Sequence, residues 1–216
     1  MNVRALVNRR RGLRFADRAT AVGHGLPKLT RQWLPPAARK DLDRPPMSLE
    51  FSSTAAGYRL TCVVHLPASR REVFDFFSDA TQLERLTPPW LKFSVLTPTP
   101  ILMGEETLID YKLRVHGIPL RWQSRISCWE PPFRFADEQV RGPYQHWHHL
   151  HSFEEDDAGT ICRDEVNYSF LGGKLMHTLF VKRDLEKIFA FRTKVLQQMF
   201  SKPRIQPSVT NAGHSW

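Results

Sequence analysis

The stretch QHWHHLHSFEEDDAGTICRDEVNYSF, residues 145–170, contains two strand patterns and the turn between them. Aromatic and histidine side chains recur at every second position before residues 156–159, which form a run of turn-forming residues. Alternation with a period of two indicates β-strands, and a short turn makes two such strands antiparallel neighbours. The stretch therefore predicts a β-hairpin with strands over residues 145–155 and 160–170.

Similar patterns lie on both sides of this hairpin. Upstream, alternating segments separated by proline- and glycine-containing turns predict strands over residues 58–66, 93–97, 107–115, 120–130 and 133–140. Two short helices are predicted after the first of these strands, because Ser69 and Glu72 have the spacing of a capping box. Downstream, apolar residues recur every three or four positions from Lys174 to about Phe200, which predicts one long helix.

This order of elements predicts an α+β fold. About six to seven antiparallel strands would form a curved sheet wrapped around the long C-terminal helix. A single helix cannot fill the whole concave face of such a sheet, so we expect a cavity beneath it.

Four strings carry a family resemblance: LTPPWLKF (86–93), GIPLRWQSRI (117–126), EPPFRFADEQVRGPYQHWHHLHSFEE (130–155) and GTICRDEVNY (159–168). They resemble a bacterial subgroup of the START/polyketide-cyclase-like (SRPBCC) superfamily. The subgroup is described as ligand-binding SRPBCC or coenzyme Q-binding START-type proteins. The resemblance covers roughly residues 54–200 and implies the helix-grip fold.

The resemblance also implies a function. Members of the superfamily bind lipids, sterols, polyketides, quinones or hormones in their cavity, and some are cyclases. We therefore expect this chain to bind a small hydrophobic ligand (a lipid, a quinone or a polyketide-like compound) as a carrier or sensor. The alternative is an enzyme of the cyclase, dehydratase or hydrolase type that uses a histidine–aspartate pair in the cavity.

Strand parity predicts which side chains face the cavity, because residues two positions apart share one face of a sheet. The rows that carry the aromatic residues are taken as the inward faces. The predicted ligand-binding residues are Trp90, Tyr111, Trp122, Phe135, Asp137, Gln139, Trp147, His149, His151, Asp164, Tyr168 and Phe189.

Two histidine–aspartate pairs are expected on these inward faces. Pairing through the hairpin turn puts His151 opposite Asp164, and pairing through the preceding turn puts His149 opposite Asp137. Directly opposed residues of antiparallel strands have Cβ atoms about 4.5–5.5 Å apart. The two pairs would therefore lie side by side among aromatic residues.

Three interpretations of this cluster are open. The cluster is a patch of buried polar groups that satisfy one another, or it anchors the polar head of an apolar ligand. In the third, it performs chemistry, with His149 or His151 as a general base beside Asp137 or Asp164. The third interpretation includes a metal ion held by both histidines and an acid. Because His-x-His on one strand supplies only two ligands, no metal is predicted.

The sequence lacks the phosphate-binding loop, the dinucleotide-binding glycine pattern and the nucleophile elbow, so no cofactor is predicted. The three cysteines, Cys62, Cys128 and Cys162, lie far apart and form no Cys-x-x-Cys motif. A disulfide framework is therefore not expected, and we predict a cytoplasmic location.

The net charge of +9 is concentrated at one end of the chain. Residues 1–46 hold eleven basic and three acidic residues and carry +8, which leaves +1 for the rest. We predict a disordered basic leader over residues 1–53, a ligand-binding domain over 54–202 and a frayed tail over 203–216.

The charge of the leader points to weak contact with an anionic surface through the leader alone. It gives no reason to expect nucleic-acid binding by the folded domain. Translation is hypothesised to start at Met47, which an intact mass that includes residues 1–46 would contradict. Neither a transmembrane segment nor an oligomeric state is predicted.

Overall fold

The structure, a computed structural model, describes residues 47–201. Its eight strands are β1 Met47–Thr54, β2 Gly57–Leu66, β3 Ser94–Val95, β4 Leu108–Val115, β5 Ile118–Glu130, β6 Arg134–Arg141, β7 His146–Asp156 and β8 Gly159–Ser169. The α-helices are α1 Arg70–Phe77, α2 Leu83–Leu86, α3 Gly173–Met176 and α4 Lys182–Phe200. Short 3-10 helices occupy Ala80–Gln82 and Pro89–Leu91, and a π-helical turn occupies His177–Val181. The predicted properties of residues 1–46 and 203–216 lie outside the described residues.

All eight strands belong to one antiparallel sheet with the order β1-β2-β8-β7-β6-β5-β4-β3. Strands β3 to β8 follow one another across the sheet, as expected of hairpins joined in series. Helix α4 packs against β1 and β2. The predicted α+β helix-grip fold is confirmed, with one strand more than the upper estimate.

Helix α1 begins as the capping-box spacing predicted. The Ser69 side chain accepts a hydrogen bond from the backbone N–H of Glu72 at 3.4 Å. Its apolar residues Val73, Phe74 and Phe77 are buried in the main hydrophobic cluster. The helix packs against β7 and β8, and Phe77 contributes to the wall of the cavity beside α4.

The sheet begins earlier than the predicted domain boundary at residue 54. Residues 47–53, predicted to belong to the leader, form most of β1, which pairs with β2 from Met47 opposite Val64 onwards. Three apolar residues, Met47, Leu49 and Phe51, follow strand periodicity and pack against the core. A pattern this short, directly after two prolines, is difficult to distinguish from a loop.

The predicted C-terminal helix is also divided differently. The π-helical turn His177–Val181 separates α3 from α4, and it changes the phase of the apolar face. Leu175 and Leu179, which the periodicity placed on the buried side, are largely exposed, and His177 is buried instead. Within residues 47–201, no helix is both long and apolar enough to span a bilayer.

Candidate functional site

A cavity of about 900 Å³ lies beside α4, on the inner face of the sheet. Its wall is formed by residues of β4 to β7, of the segment from α1 to the second 3-10 helix, and of α4. This volume is at the upper end of the range that is typical of small-molecule sites. The cavity expected from the element order is therefore present.

Most residues of the predicted set contribute to this wall. The lining residues among them are Trp90, Tyr111, Trp122, Phe135, Asp137, Trp147, His149, His151 and Phe189. Trp90 is 55% exposed and its ring packs edge-on against Phe191 of α4, 5.9 Å between centroids. Its position fits the mouth of the cavity.

Three residues of the set do not line the cavity. The Gln139 side chain binds the backbone of Tyr144, donating to its carbonyl oxygen at 2.7 Å and accepting from its N–H at 3.2 Å. Tyr168 is fully covered, and its hydroxyl lies 2.8 Å from Nε2 of His177. Asp164 lies behind the two histidines. Parity placed all three on the inner face, but the cavity extends over only part of that face.

The predicted register of the histidine–aspartate pairs is confirmed. His151 is opposite Asp164 between β7 and β8, and His149 is opposite Asp137 between β6 and β7. All four side chains meet in one cluster, and the two imidazole rings are 3.8 Å apart between centroids. The alternating pattern and the turn residues were sufficient to place these groups together.

Asp164 forms the inner side of this cluster. Its Oδ1 lies 3.2 Å from Nε2 of His149 and 2.6 Å from Nδ1 of His151. Its Oδ2 lies 3.6 Å from Nε of Arg192, which reaches in from α4. One buried carboxylate is therefore surrounded by three nitrogen-bearing side chains.

Asp137 forms the side of the cluster that faces the cavity. Its Oδ2 lies 3.7 Å from Nδ1 of His149 and 3.5 Å from Nε2 of His151. Its Oδ1 accepts a hydrogen bond from the hydroxyl of Ser124 at 3.2 Å. The Ser124 oxygen in turn accepts from Nε1 of Trp122 at 3.1 Å and lies 2.8 Å from the Tyr111 hydroxyl. A row of polar contacts therefore connects the aromatic wall to the cluster.

The two histidines differ in charge. Burial, with the neighbouring His151, lowers the pKa of His149 to about 4. Burial also acts to lower the pKa of His151, but Asp164 and Asp137 outweigh it and raise that pKa above 6.5. An imidazolium and a neutral imidazole are therefore expected side by side at neutral pH.

Both carboxyl groups of the cluster are held ionised. Burial acts to raise the pKa of Asp164, but Arg192 and His151 outweigh it and hold the pKa well below its usual value. The same balance, with His151 and His149 as the opposing groups, lowers the pKa of Asp137. Two carboxylates, one imidazolium and one guanidinium make the cluster close to neutral overall, which is how charges are tolerated in a buried site.

Two members of the cluster were absent from the predicted set. Arg192 lies three residues after Phe189 on α4, so both side chains project from the same face of the helix. The sequence signal that could have identified Arg192 is a basic residue on the apolar face of this helix. Ser124 is two residues after Trp122 and shares its face of β5, but its small hydroxyl gave no indication of its three polar contacts.

Comparisons with known proteins show the fold and the family. The sequence model for the family described as polyketide cyclase/dehydrase and lipid transport matches residues 66–194. No curated protein gives a significant match.

Solved structures share the fold at low sequence identity. Protein Ms6760 from Mycobacterium smegmatis is 14% identical, with a TM-score of 0.54 over 72% of this chain and 98% of its own. The protein TTHA0849 from Thermus thermophilus is 15% identical, with a TM-score of 0.54 over 66% and 97%. A protein from Arthrobacter aurescens is 16% identical, with a TM-score of 0.55 over 77% and 98%. At these identities the likeness shows the architecture alone.

Proposed function

The chain belongs to the polyketide cyclase/dehydrase and lipid transport family, and we propose that it binds a small hydrophobic molecule in its cavity as a carrier or sensor. The observation that carries this proposal is the pairing of a roughly 900 Å³ aromatic cavity with one charged cluster at its wall. Pockets that bind small molecules typically combine a large apolar surface with a few convergent polar groups.

The shape and chemistry of the wall support a ligand with a flat apolar body and a polar end. Trp122 stands edge-on to Trp147, 5.4 Å between centroids, and stacks on Tyr111 at 5.9 Å. Rings in these orientations present both faces and edges to a planar guest. A quinone, a polyketide-like compound or a lipid with a compact head group fits this description, with its polar end near Asp137 and the histidines.

Native mass spectrometry of the purified full chain, followed by solvent extraction, tests the proposal. We expect a hydrophobic compound of up to one equivalent to leave the protein on extraction. A protein that carries no such compound, and that takes up none from quinone, fatty-acid or aromatic polyketide mixtures, would contradict it.

An enzyme on the same scaffold is the second candidate. It is favoured by the neutral His149 and the charged His151, both at the cavity wall, because a base and an acid side by side suit proton transfer. The variant His151→Ala separates the two functions. A carrier should lose ligand affinity and show no turnover in either form, whereas an enzyme should lose turnover and still bind.

The cellular setting is part of the same proposal. A cytoplasmic location is supported by the three free cysteines, two of which are buried. Weak contact with an anionic surface is assigned to the basic leader, because residues 1–46 carry +8. Binding of the full chain to anionic vesicles should then fall with salt and be lost in a fragment that starts at Met47. Equal binding by the fragment would place the contact on the folded domain.

A further inference from the structure

Three side-chain atoms converge where the cluster meets the cavity. Oδ2 of Asp137 lies 3.7 Å from Nδ1 of His149 and 3.5 Å from Nε2 of His151, and all three atoms lie within 4.8 Å of one another. Ligand atoms about 2.1 Å from one tetrahedral metal ion lie roughly 3.4 Å apart. The two oxygen–nitrogen spacings are therefore close to those between ligands of a common ion, and the two nitrogen atoms lie within 4.8 Å of each other.

The opposite side of the cluster determines which nitrogen atoms are available. The other ring nitrogens, Nε2 of His149 and Nδ1 of His151, both lie against Oδ1 of Asp164 at 3.2 Å and 2.6 Å. An ionised carboxylate only accepts hydrogen bonds, so Nε2 of His149, which is hydrogen-bonded to this oxygen, carries its hydrogen. Nδ1 of His151 lies close to the same oxygen but outside hydrogen-bond geometry. The neutral ring of His149 then keeps its lone pair on Nδ1, which faces Asp137. A metal ion that displaces the proton on Nε2 of His151 meets a second lone pair there.

This point favours a positive charge, which the extra proton of His151 supplies when no metal ion is bound. Two imidazole lone pairs and a carboxylate oxygen directed at one point repel one another unless a positive charge lies between them. A proton shared with one histidine satisfies one lone pair, whereas a metal ion satisfies all three donors. Asp164 thus has the position of the carboxylate that orients metal-bound histidines in many proteins.

The surroundings also suit a bound ion. Arg192 lies next to Oδ2 of Asp164 and balances that carboxylate. Ser124 holds the other oxygen of Asp137 through its hydroxyl. Asp137, His149 and His151 all line the cavity, so an ion among them would keep open positions toward it.

We propose that Asp137, His149 and His151 bind one divalent transition-metal ion, with Asp164 and Ser124 as positioning residues. Two imidazoles and one carboxylate suit Zn²⁺, Fe²⁺ or Co²⁺, in contrast to the all-oxygen sets of Mg²⁺ and Ca²⁺. The sequence predicted no metal because His-x-His supplies two ligands, and the neighbouring strand supplies the third. The open positions would accept an oxygen atom of a molecule in the cavity.

Metal titration of the full chain tests the proposal without any hydrophobic ligand, so its outcome is independent of the carrier function. The chain is first stripped with a chelator, and Zn²⁺ is then titrated calorimetrically and Co²⁺ by visible absorption. We expect one equivalent of each ion to bind. His149→Ala and His151→Ala should each weaken binding by more than 100-fold, and Asp164→Asn by roughly 10–100-fold.

Two further variants keep the test decisive. Asp137→Asn preserves the shape of the side chain and should abolish the rise in melting temperature that Zn²⁺ produces in the wild type. The double variant His146→Ala/His148→Ala removes the two histidines on the other face of β7 and should bind the ion unchanged. The proposal is wrong if the wild type binds no equivalent, or if binding survives in Asp137→Asn and His151→Ala and disappears in the double variant.

Discussion

Ser124 connects the aromatic wall of the cavity to its charged cluster. Its oxygen accepts from the Trp122 indole and lies within hydrogen-bond distance of the Tyr111 hydroxyl, while its own hydrogen points to Asp137. The residue is 3% exposed, so water does not replace these partners easily. A single hydroxyl therefore satisfies polar groups on three neighbouring side chains.

Replacing this hydroxyl should be costly. In Ser124→Ala the buried indole N–H and the Tyr111 hydroxyl lose their partner, and an unsatisfied buried polar group costs about 1–3 kcal/mol. We expect the free energy of unfolding, measured by urea denaturation, to fall by about that amount. Ser127→Ala is the matched control, because the buried Ser127 hydroxyl has no hydrogen-bond partner among residues 47–201. Equal effects of the two substitutions would contradict the role assigned to Ser124.

The β7–β8 hairpin shows what local sequence can predict at the scale of elements. Its pairing runs without interruption from His146 opposite Ser169 to Asp156 opposite Gly159. Parity and turn residues are local properties, so the sequence was sufficient to predict the register and with it the histidine–aspartate cluster. The π-helical turn has no such local signal in the sequence. It contains one residue more than a regular helical turn, and the packing of His177 against distant strands stabilises it.

The turn of this hairpin depends on a glycine. Gly159 has φ +144°, and a Cβ atom there would lie 2.2 Å from the carbonyl oxygen of Leu66. Gly159→Ala should therefore lower the free energy of unfolding by more than about 1 kcal/mol in a urea titration. Gly104→Ala is the control, since a Cβ at Gly104 meets open space. If Gly159→Ala is as stable as the control, the close approach of Leu66 does not require glycine at this position.

The π-helical turn should make stability depend on pH through His177. Its ring stacks on Tyr58 at 3.6 Å between centroids, and the Tyr168 hydroxyl lies 2.8 Å from its Nε2. Burial, helped by the charge of Lys182, lowers the pKa of His177 below 6.5. The folded state then binds fewer protons than the unfolded state, so stability is fully present above about pH 6.5 and falls as the pH decreases.

Thermal melts of the wild type and of His177→Phe between pH 7.5 and pH 5 (roughly the range over which histidine titrates) test this linkage. We expect the melting temperature of the wild type to fall further on acidification than that of the variant. Parallel loss in both proteins would show that other groups cause the acid sensitivity.

At the scale of the whole molecule, the position of α4 determines where the cavity lies. The helix packs against β1 and β2, which leaves the inner faces of β4 to β7 to form the wall. The sequence predicted which side chains face inward, because that depends on parity. It could not predict that His177 of the π-helical turn contacts Tyr168 while Trp147 stays at the cavity, because that depends on packing between segments far apart in the chain.

Filling the cavity should therefore remove ligand binding without changing the fold. Leu113 on β4 lines the cavity, whereas Leu108 lies on the opposite face of the same strand and is 47% exposed. Leu113→Trp places a large ring inside the cavity, and Leu108→Trp places the same ring in solvent. The first variant should retain clearly less extractable hydrophobic compound per mole, and give less enhancement of a naphthalene-sulfonate dye, than the wild type. The second variant should match the wild type in both measurements, because a tryptophan ring exposed to solvent does not occupy the cavity. Equal retention by the two variants would mean that the bound compound lies outside the cavity formed by β4 to β7 and α4.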